Sequence, residues 1–210
     1  VQLLNNKSFS CIKSDTIRSA SGYYDASFPE YNILTLEAEM DSKLEVLISE
    51  EDVDRKFDEL AGELTRDYEG KTVNVICILK GGVYCVCEIT RRMKVPVTLD
   101  FMEASSYGSS TTHGDLIIKK DLSMGIEGKD CLIIEDIIDS GNTLYLLKKK
   151  LLERKPASLK ICAFLNKPER REVDLPIEYK GFDIPDRFVV GCGMDYAEKY
   201  RNLPYIGVIQ

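Results

Sequence analysis

Tryptophan is absent from the 210 residues, and histidine occurs once, at His113. With one imidazole and no C-x-x-C pair among seven cysteines, the chain lacks the ligands for a structural zinc site. No apolar run approaches the roughly 20 residues that a membrane-spanning helix needs. The N-terminus lacks the basic-then-apolar layout of a signal peptide. Positive charge is short too: 28 Lys and Arg stand against 35 Asp and Glu, a net charge of −7, which argues against a general nucleic-acid or acidic-membrane binder. Two phosphate-binding signatures, G-x-x-x-x-G-K-[ST] and G-x-G-x-x-G, are missing, which sets aside P-loop NTPases and dinucleotide folds. These absences point to a cytoplasmic chain whose cysteines, several of them in apolar runs, are buried and reduced.

What is present has the texture of one α/β domain. Residues 1–43 carry no sustained period and are read as an arm or extension outside the core; the domain spans 44–210. Ser49-Glu50-Glu51-Asp52 resembles a helix capping box, and Val53, Phe57, Leu60 and Leu64 mark one face of the helix behind it. "VNVICIL" (73–79) reads as a buried strand ended by Lys80-Gly81-Gly82, followed by an apolar helix to about Met93 and a strand over 95–101. That order predicts parallel pairing. Residues 105–114 are rich in Ser, Thr and Gly and read as a loop, with a strand over 115–122 returning from it and another over 158–165. From about 175 the segments shorten and become aromatic, as expected of a small hood over the sheet edge.

The stretch "CLIIEDIIDSGNTL" (131–144) carries the chemistry. Cys131 to Ile134 read as a strand buried on both faces. Glu135, Asp136 and Asp139 cannot be buried unpaired without a large desolvation cost, so they are expected at the strand's C-terminal edge, where open α/β sheets bind ligands. Asp139-Ser140-Gly141-Asn142-Thr143 then opens a helix with Leu144, Leu147 and Leu151 on one face. Such a small-residue turn presents backbone N–H groups suited to phosphate.

"LIIEDIIDSGNTL" resembles the phosphoribosyl-diphosphate (PRPP) motif of type I phosphoribosyltransferases. "LKGG" (79–82), "DFMEASSYG" (100–108), "LNKPERREV" (165–173) and "GFDIPDRFVVGCGMDYAEKYRNLPYIG" (181–207) resemble the hypoxanthine–guanine branch in its bacterial form. The resemblance covers about Glu45 to Ile209. It implies the type I fold: a mostly parallel central sheet flanked by helices, a small C-terminal hood (about 175–210) and a mobile lid loop.

The implied reaction is purine salvage. The 5-phosphoribosyl group of PRPP passes to N9 of hypoxanthine or guanine with Mg²⁺, giving IMP or GMP and diphosphate. The implied roles place the 5′-phosphate on Asp139, Ser140, Gly141, Asn142 and Thr143, and the ribose hydroxyls on Glu135 and Asp136. Asp139 is the general base for the purine N7 proton. Lys80, preceded by a cis peptide bond, and Gly81 meet the diphosphate together with Arg201. Lys167, Phe188, Val189 and Asp195 form the purine site, and Ser106 and Tyr107 belong to the lid. Glu135, Asp136 and Asp195 are the implied metal contacts. A homodimer or homotetramer is implied, with neither nucleic acid nor membrane as a partner.

Two other readings compete. A non-catalytic PRPP-sensing regulator of the same fold would be expected to lose the base-site residues and gain a basic face. Here Asp139, Lys167, Phe188 and Asp195 are present and the chain is acidic. An enzyme acting on adenine, orotate or uracil is opposed by Lys167 and the hood segments.

Overall fold

The computed structural model describes residues 44–106 and 116–210. The expected arm at 1–43, Tyr107 and the greater part of the loop expected at 105–114 lie outside the described residues.

Among the described residues nine strands form two sheets, packed with three α-helices. The larger has six strands: β2 (Val73–Ile78), β3 (Val97–Ser106), β4 (Leu116–Lys120), β5 (Asp130–Ile138), β6 (Ser158–Asn166) and β7 (Tyr179–Asp183). Their order is β4-β3-β2-β5-β6-β7, parallel throughout except for β4, which runs antiparallel at the edge. The three central strands are the near-continuous aliphatic runs of the sequence, and Cys131 to Ile134 and Ile161 to Leu165 are wholly buried. A parallel sheet covered on both faces demands that composition.

Helices α1 (Glu50–Asp67) and α2 (Gly82–Thr90) cover one face and α3 (Asn142–Leu152) the other, dividing the core in two. Ser49 caps α1, its Oγ accepting the Asp52 N–H at 3.2 Å, and Glu50, Glu51 and Asp52 complement the positive end of the helix. The stripe Val53, Phe57, Leu60, Leu64 is buried as its spacing predicts, with Ala61 beside it. Phe57 stacks on Phe164 of β6 with ring centroids 4.4 Å apart, and Phe182 of β7 meets Phe164 edge-on at 5.7 Å. All six described cysteines are free; five are buried, and burial pushes the thiols of Cys77, Cys162 and Cys192 up to about 12.

Two expectations need correction. The hood is not purely C-terminal: β9 (Ile206–Ile209) pairs antiparallel with β1 (Leu44–Ile48) on one side and with β8 (Val189–Val190) on the other, while β7 joins the main sheet. The acids of the central stretch also do not wait for the strand to end. Strand β5 continues to Ile138, with Glu135 and Asp136 inside it, because β6 keeps pairing as far as Ile138↔Asn166 after β2 stops at Cys77↔Ile134.

No described helix is long and apolar enough to cross a membrane. Phe164 ties α1, β6 and β7 together, so Phe164→Ala should cost about 3–5 kcal/mol of unfolding free energy, as large aromatic truncations in cores do. Urea-induced unfolding at equilibrium measures this, and a loss below about 1 kcal/mol would show that the aromatic stack is not a core element.

Candidate active site

The C-terminal ends of β2, β5 and β6 open into two adjoining cavities. The first, about 280 Å³, is lined by Glu135, Asp139, Ser140, Gly141 and Thr143 over an apolar floor that includes Ile138 and Leu144. The N-cap residue of α3, Gly141, has no side chain, and the Asn142 N–H reaches Ser140 Oγ at 3.4 Å, so α3 opens at this mouth through a turn of small residues. The second, about 220 Å³, is lined by Asp136, Asp139, Lys167, Phe188, Val189, Asp195 and Arg201 among others. Ile137 and Asp139 border both. A larger cavity of about 680 Å³ lies between α1, α2 and the hood, lined by Glu50, Glu51 and Glu88. Volume alone would favour it, but it has neither the acid pair nor the cradle turn.

Glu135 and Asp136 are adjacent on β5, the first lining one cavity and the second the other. Burial pushes both carboxyls up, Glu135 well above the usual carboxylate range, and the negative neighbour adds to its shift. Asp136 Oδ1 accepts the Ile137 N–H at 2.9 Å. Gly81 packs directly on this pair: a Cβ there would fall 1.7 Å from Asp136 Oδ2, so only glycine fits. The peptide bond Leu79–Lys80 is cis, as the resemblance implies.

Two ion networks flank the acids. In the first, Asp195 accepts from Arg201 at 2.7 Å and from the Glu198 N–H at 2.8 Å, Arg201 donates to the Gly193 carbonyl at 2.6 Å, and Lys80 binds Glu198 at 3.1 Å. In the second, Lys167 lies 3.7 Å from Asp186, Asp186 lies 3.6 Å from Arg170, and Arg170 Nε donates to Asp139 at 3.1 Å. The Lys167 side chain is only 9% exposed, whereas Asp139 is half-exposed between the cavities. Phe188 is 55% exposed and meets Tyr196 edge-on, which leaves its ring available at the second cavity.

The structure thus brings Glu135, Asp136, Asp139, Ser140, Gly141, Thr143, Lys167, Phe188, Val189, Asp195 and Arg201 to the two cavities. It does not bring Asn142 there: its side chain donates to Glu172 at 2.5 Å and lines neither. Lys80 likewise lines neither and is held by Glu198. Ser106 ends β3, short of the residues left undescribed. Among the described residues no group of three His, Cys, Asp or Glu is placed to hold a metal ion, so Glu135, Asp136 and Asp195 do not form one donor set. Asp195 is engaged by Arg201. Sequence reasoning missed Arg170, Asp186 and Glu198, which read as ordinary solvated charges; their position inside matched segments was the only available signal.

Residues 49–197 match the family model described as phosphoribosyl transferase domain. The chain is 47% identical over 173 residues to a hypoxanthine phosphoribosyltransferase of Salmonella typhimurium, covering 81% of this chain and 97% of the relative. It is 48% identical over 166 residues to a hypoxanthine-guanine phosphoribosyltransferase of Bacillus subtilis, with 79% and 92% covered. A crystal structure of a hypoxanthine-guanine phosphoribosyltransferase from Bacillus anthracis superposes with a TM-score of 0.75 at 48% identity, covering 80% of this chain and 99% of that one.

The acid pair makes a pH-dependent prediction for the ligand-free protein. Below the ordinary glutamate value of 4.5, Glu135 is protonated folded or unfolded and contributes nothing. Above it the unfolded chain releases the proton while the fold retains it, so stability falls as pH rises toward the raised folded value. Glu135→Gln, which keeps the shape and removes the titration, should therefore stabilise the protein more at pH 7.5 than at pH 4.5. Urea unfolding at the two pH values tests this; a gain that is equal at both, or larger at pH 4.5, would contradict the upward shift of Glu135.

Proposed function

The chain belongs to the phosphoribosyltransferase family, within its hypoxanthine–guanine branch, and from that premise we propose that it transfers the 5-phosphoribosyl group of PRPP to N9 of hypoxanthine or guanine. The observation that carries this reading is the pair of adjoining cavities with Asp139 on the wall of both. One cavity suits a ribose phosphate and the other a 6-oxopurine.

The 5′-phosphate sits at the α3 N-terminus, on the backbone and hydroxyls of Asp139 to Thr143. The ribose 2′ and 3′ hydroxyls face Glu135 and Asp136, whose negative field suits the positive charge that develops as diphosphate leaves. In the transfer the bond from ribose C1′ to the diphosphate oxygen breaks, the bond from C1′ to purine N9 forms, and Asp139 takes the N7 proton. Arg201, with the backbone at Lys80 and Gly81, receives the diphosphate, and Arg201 offers paired N–H donors for it. Mg²⁺ bound with PRPP would supply further charge neutralisation, and an ion that keeps several waters and takes one or two carboxylates would find its protein contact in Asp195.

On the purine side Phe188 offers a stacking face, and the backbone at Val189 with Asp195 reads the 2-position. The ammonium of Lys167 can only donate, so it matches the 6-oxo group and opposes the 6-amino group of adenine. The enzyme acts in the cytoplasm as a homodimer or homotetramer.

A purine panel assayed with PRPP and Mg²⁺ tests the reading: hypoxanthine and guanine are converted to their 5′-monophosphates and adenine is not. Efficient use of adenine would overturn it. Asp139→Asn should lower kcat by roughly 10²–10⁴-fold while PRPP still binds, the scale of one positioned acid–base group. Near-normal turnover would remove Asp139 from the reaction. Lys167→Ala should weaken 6-oxopurine binding by about 1.5–3 kcal/mol, the worth of a charge-assisted hydrogen bond, and leave PRPP affinity in place.

A further inference from the structure

Residues 167–173 run as a strap behind the cradle turn. The Lys167 N–H donates to the Ile138 carbonyl at 3.0 Å and the Glu172 N–H to the Ser140 carbonyl at 3.0 Å. Arg171 lies between these two ties. One of its guanidinium nitrogens, Nη2, donates to Asn166 Oδ1. The other, Nη1, is buried and has no hydrogen-bond partner among the described residues. It lies against Gly141, where a Cβ would fall 2.7 Å from Nη1 and 3.2 Å from Arg171 Cδ. Gly141 has φ +84°, so the turn needs glycine for its backbone as well as for this contact.

A buried guanidinium nitrogen without a partner is expensive. Burial holds the Arg171 pKa below its ordinary value, with Asp139 opposing that shift. The Asp139 carboxylate is itself engaged by Arg170. Gly141 also lines the first cavity, together with Glu135 and Asp139 and with no lysine or arginine. A dianionic phosphate placed there would meet acids and backbone amides, and the helix end offers only about half a positive charge. The cavity is short of a cation, and the guanidinium of Arg171, with Nη1 unmatched among the described residues, packs against the glycine that lines it.

We infer that Arg171 is the buried counter-charge of the cradle, acting through Gly141 on the 5′-phosphate from behind the turn. It is a positioning residue, and the inference rests on reading the cavity as the PRPP phosphate site. A simple buttress would need only the bond to Asn166, which is itself held by its Nδ2 donating to Asp183 at 2.6 Å, and would not require charge.

The test uses the full chain with Arg171→Gln and Arg171→Lys, and ribose 5-phosphate as the probe. In Arg171→Gln the dissociation constant for ribose 5-phosphate and the KM for PRPP should rise about 10- to 30-fold, the scale of a partly buried charge at a helix end, while the KM for hypoxanthine holds. Arg171→Lys should stay within about threefold of the unmodified protein. Phosphorus NMR of bound ribose 5-phosphate should show the second ionisation below the free value of about 6, with the shift kept in Arg171→Lys and reduced in Arg171→Gln. Equal probe affinity in Arg171→Gln and the unmodified protein, or equal losses in both variants, would overturn the inference. If Arg171→Gln fails to fold, the other two proteins decide, because a bound phosphate that titrates like the free one in the unmodified protein also overturns it. Failure of the underlying reading looks different: the unmodified protein would then neither bind ribose 5-phosphate nor convert hypoxanthine.

Discussion

Two carboxyls placed side by side in the middle of a parallel sheet constrain everything around them. Glu135 and Asp136 sit where β5 has outrun β2 and still pairs with β6. The site can exist only because neighbouring strands have unequal lengths. Had β2 continued, its side chains would have covered the pair in hydrocarbon. Its chain turns away instead at Leu79–Lys80 and lays Gly81 against Asp136 with no room for a side chain. The hood then leans on the same place, because Arg201 donates to the Gly193 carbonyl and to Asp195.

Free-protein charge around the site is held in reserve. Lys80 is matched by Glu198, Arg201 by Asp195, and Lys167 and Arg170 by Asp186 and Asp139. The Lys80–Glu198 and Arg170–Asp139 pairs are largely exposed, so each is worth little to stability and can exchange partners readily, whereas Lys167 and Arg201 are more enclosed. Such pairing suits a site that must accept an anion and a neutral base in turn without collapsing when empty.

Legibility in the sequence followed how local each signal was. The central strands show as runs of aliphatics, and the α1 stripe as a helical spacing closed by Ser49, because those patterns lie within a few residues of each other. The acids and the small-residue turn announced phosphate chemistry, but assigning Lys167 and Phe188 to a purine required the resemblance. Three features were hidden. The continuation of β5 depends on where another strand stops, and the partner of β9 lies at Leu44–Ile48, at the far end of the domain. Arg171 reads as one more solvated charge in "KPERREV", and only the fold puts it behind Gly141.

The pairing of β1 with β9 has a topological consequence. Leu44 lies opposite Ile209, so the first and last strands of the domain are neighbours and the chain comes close to forming a ring. A ring has no privileged starting point. Joining those ends with a short linker and opening the chain at an exposed turn, such as the one between β4 and β5, would give a circular permutant that keeps every strand neighbour. The acid pair is held by the order of strands in space, and that order would survive a change in the order of synthesis.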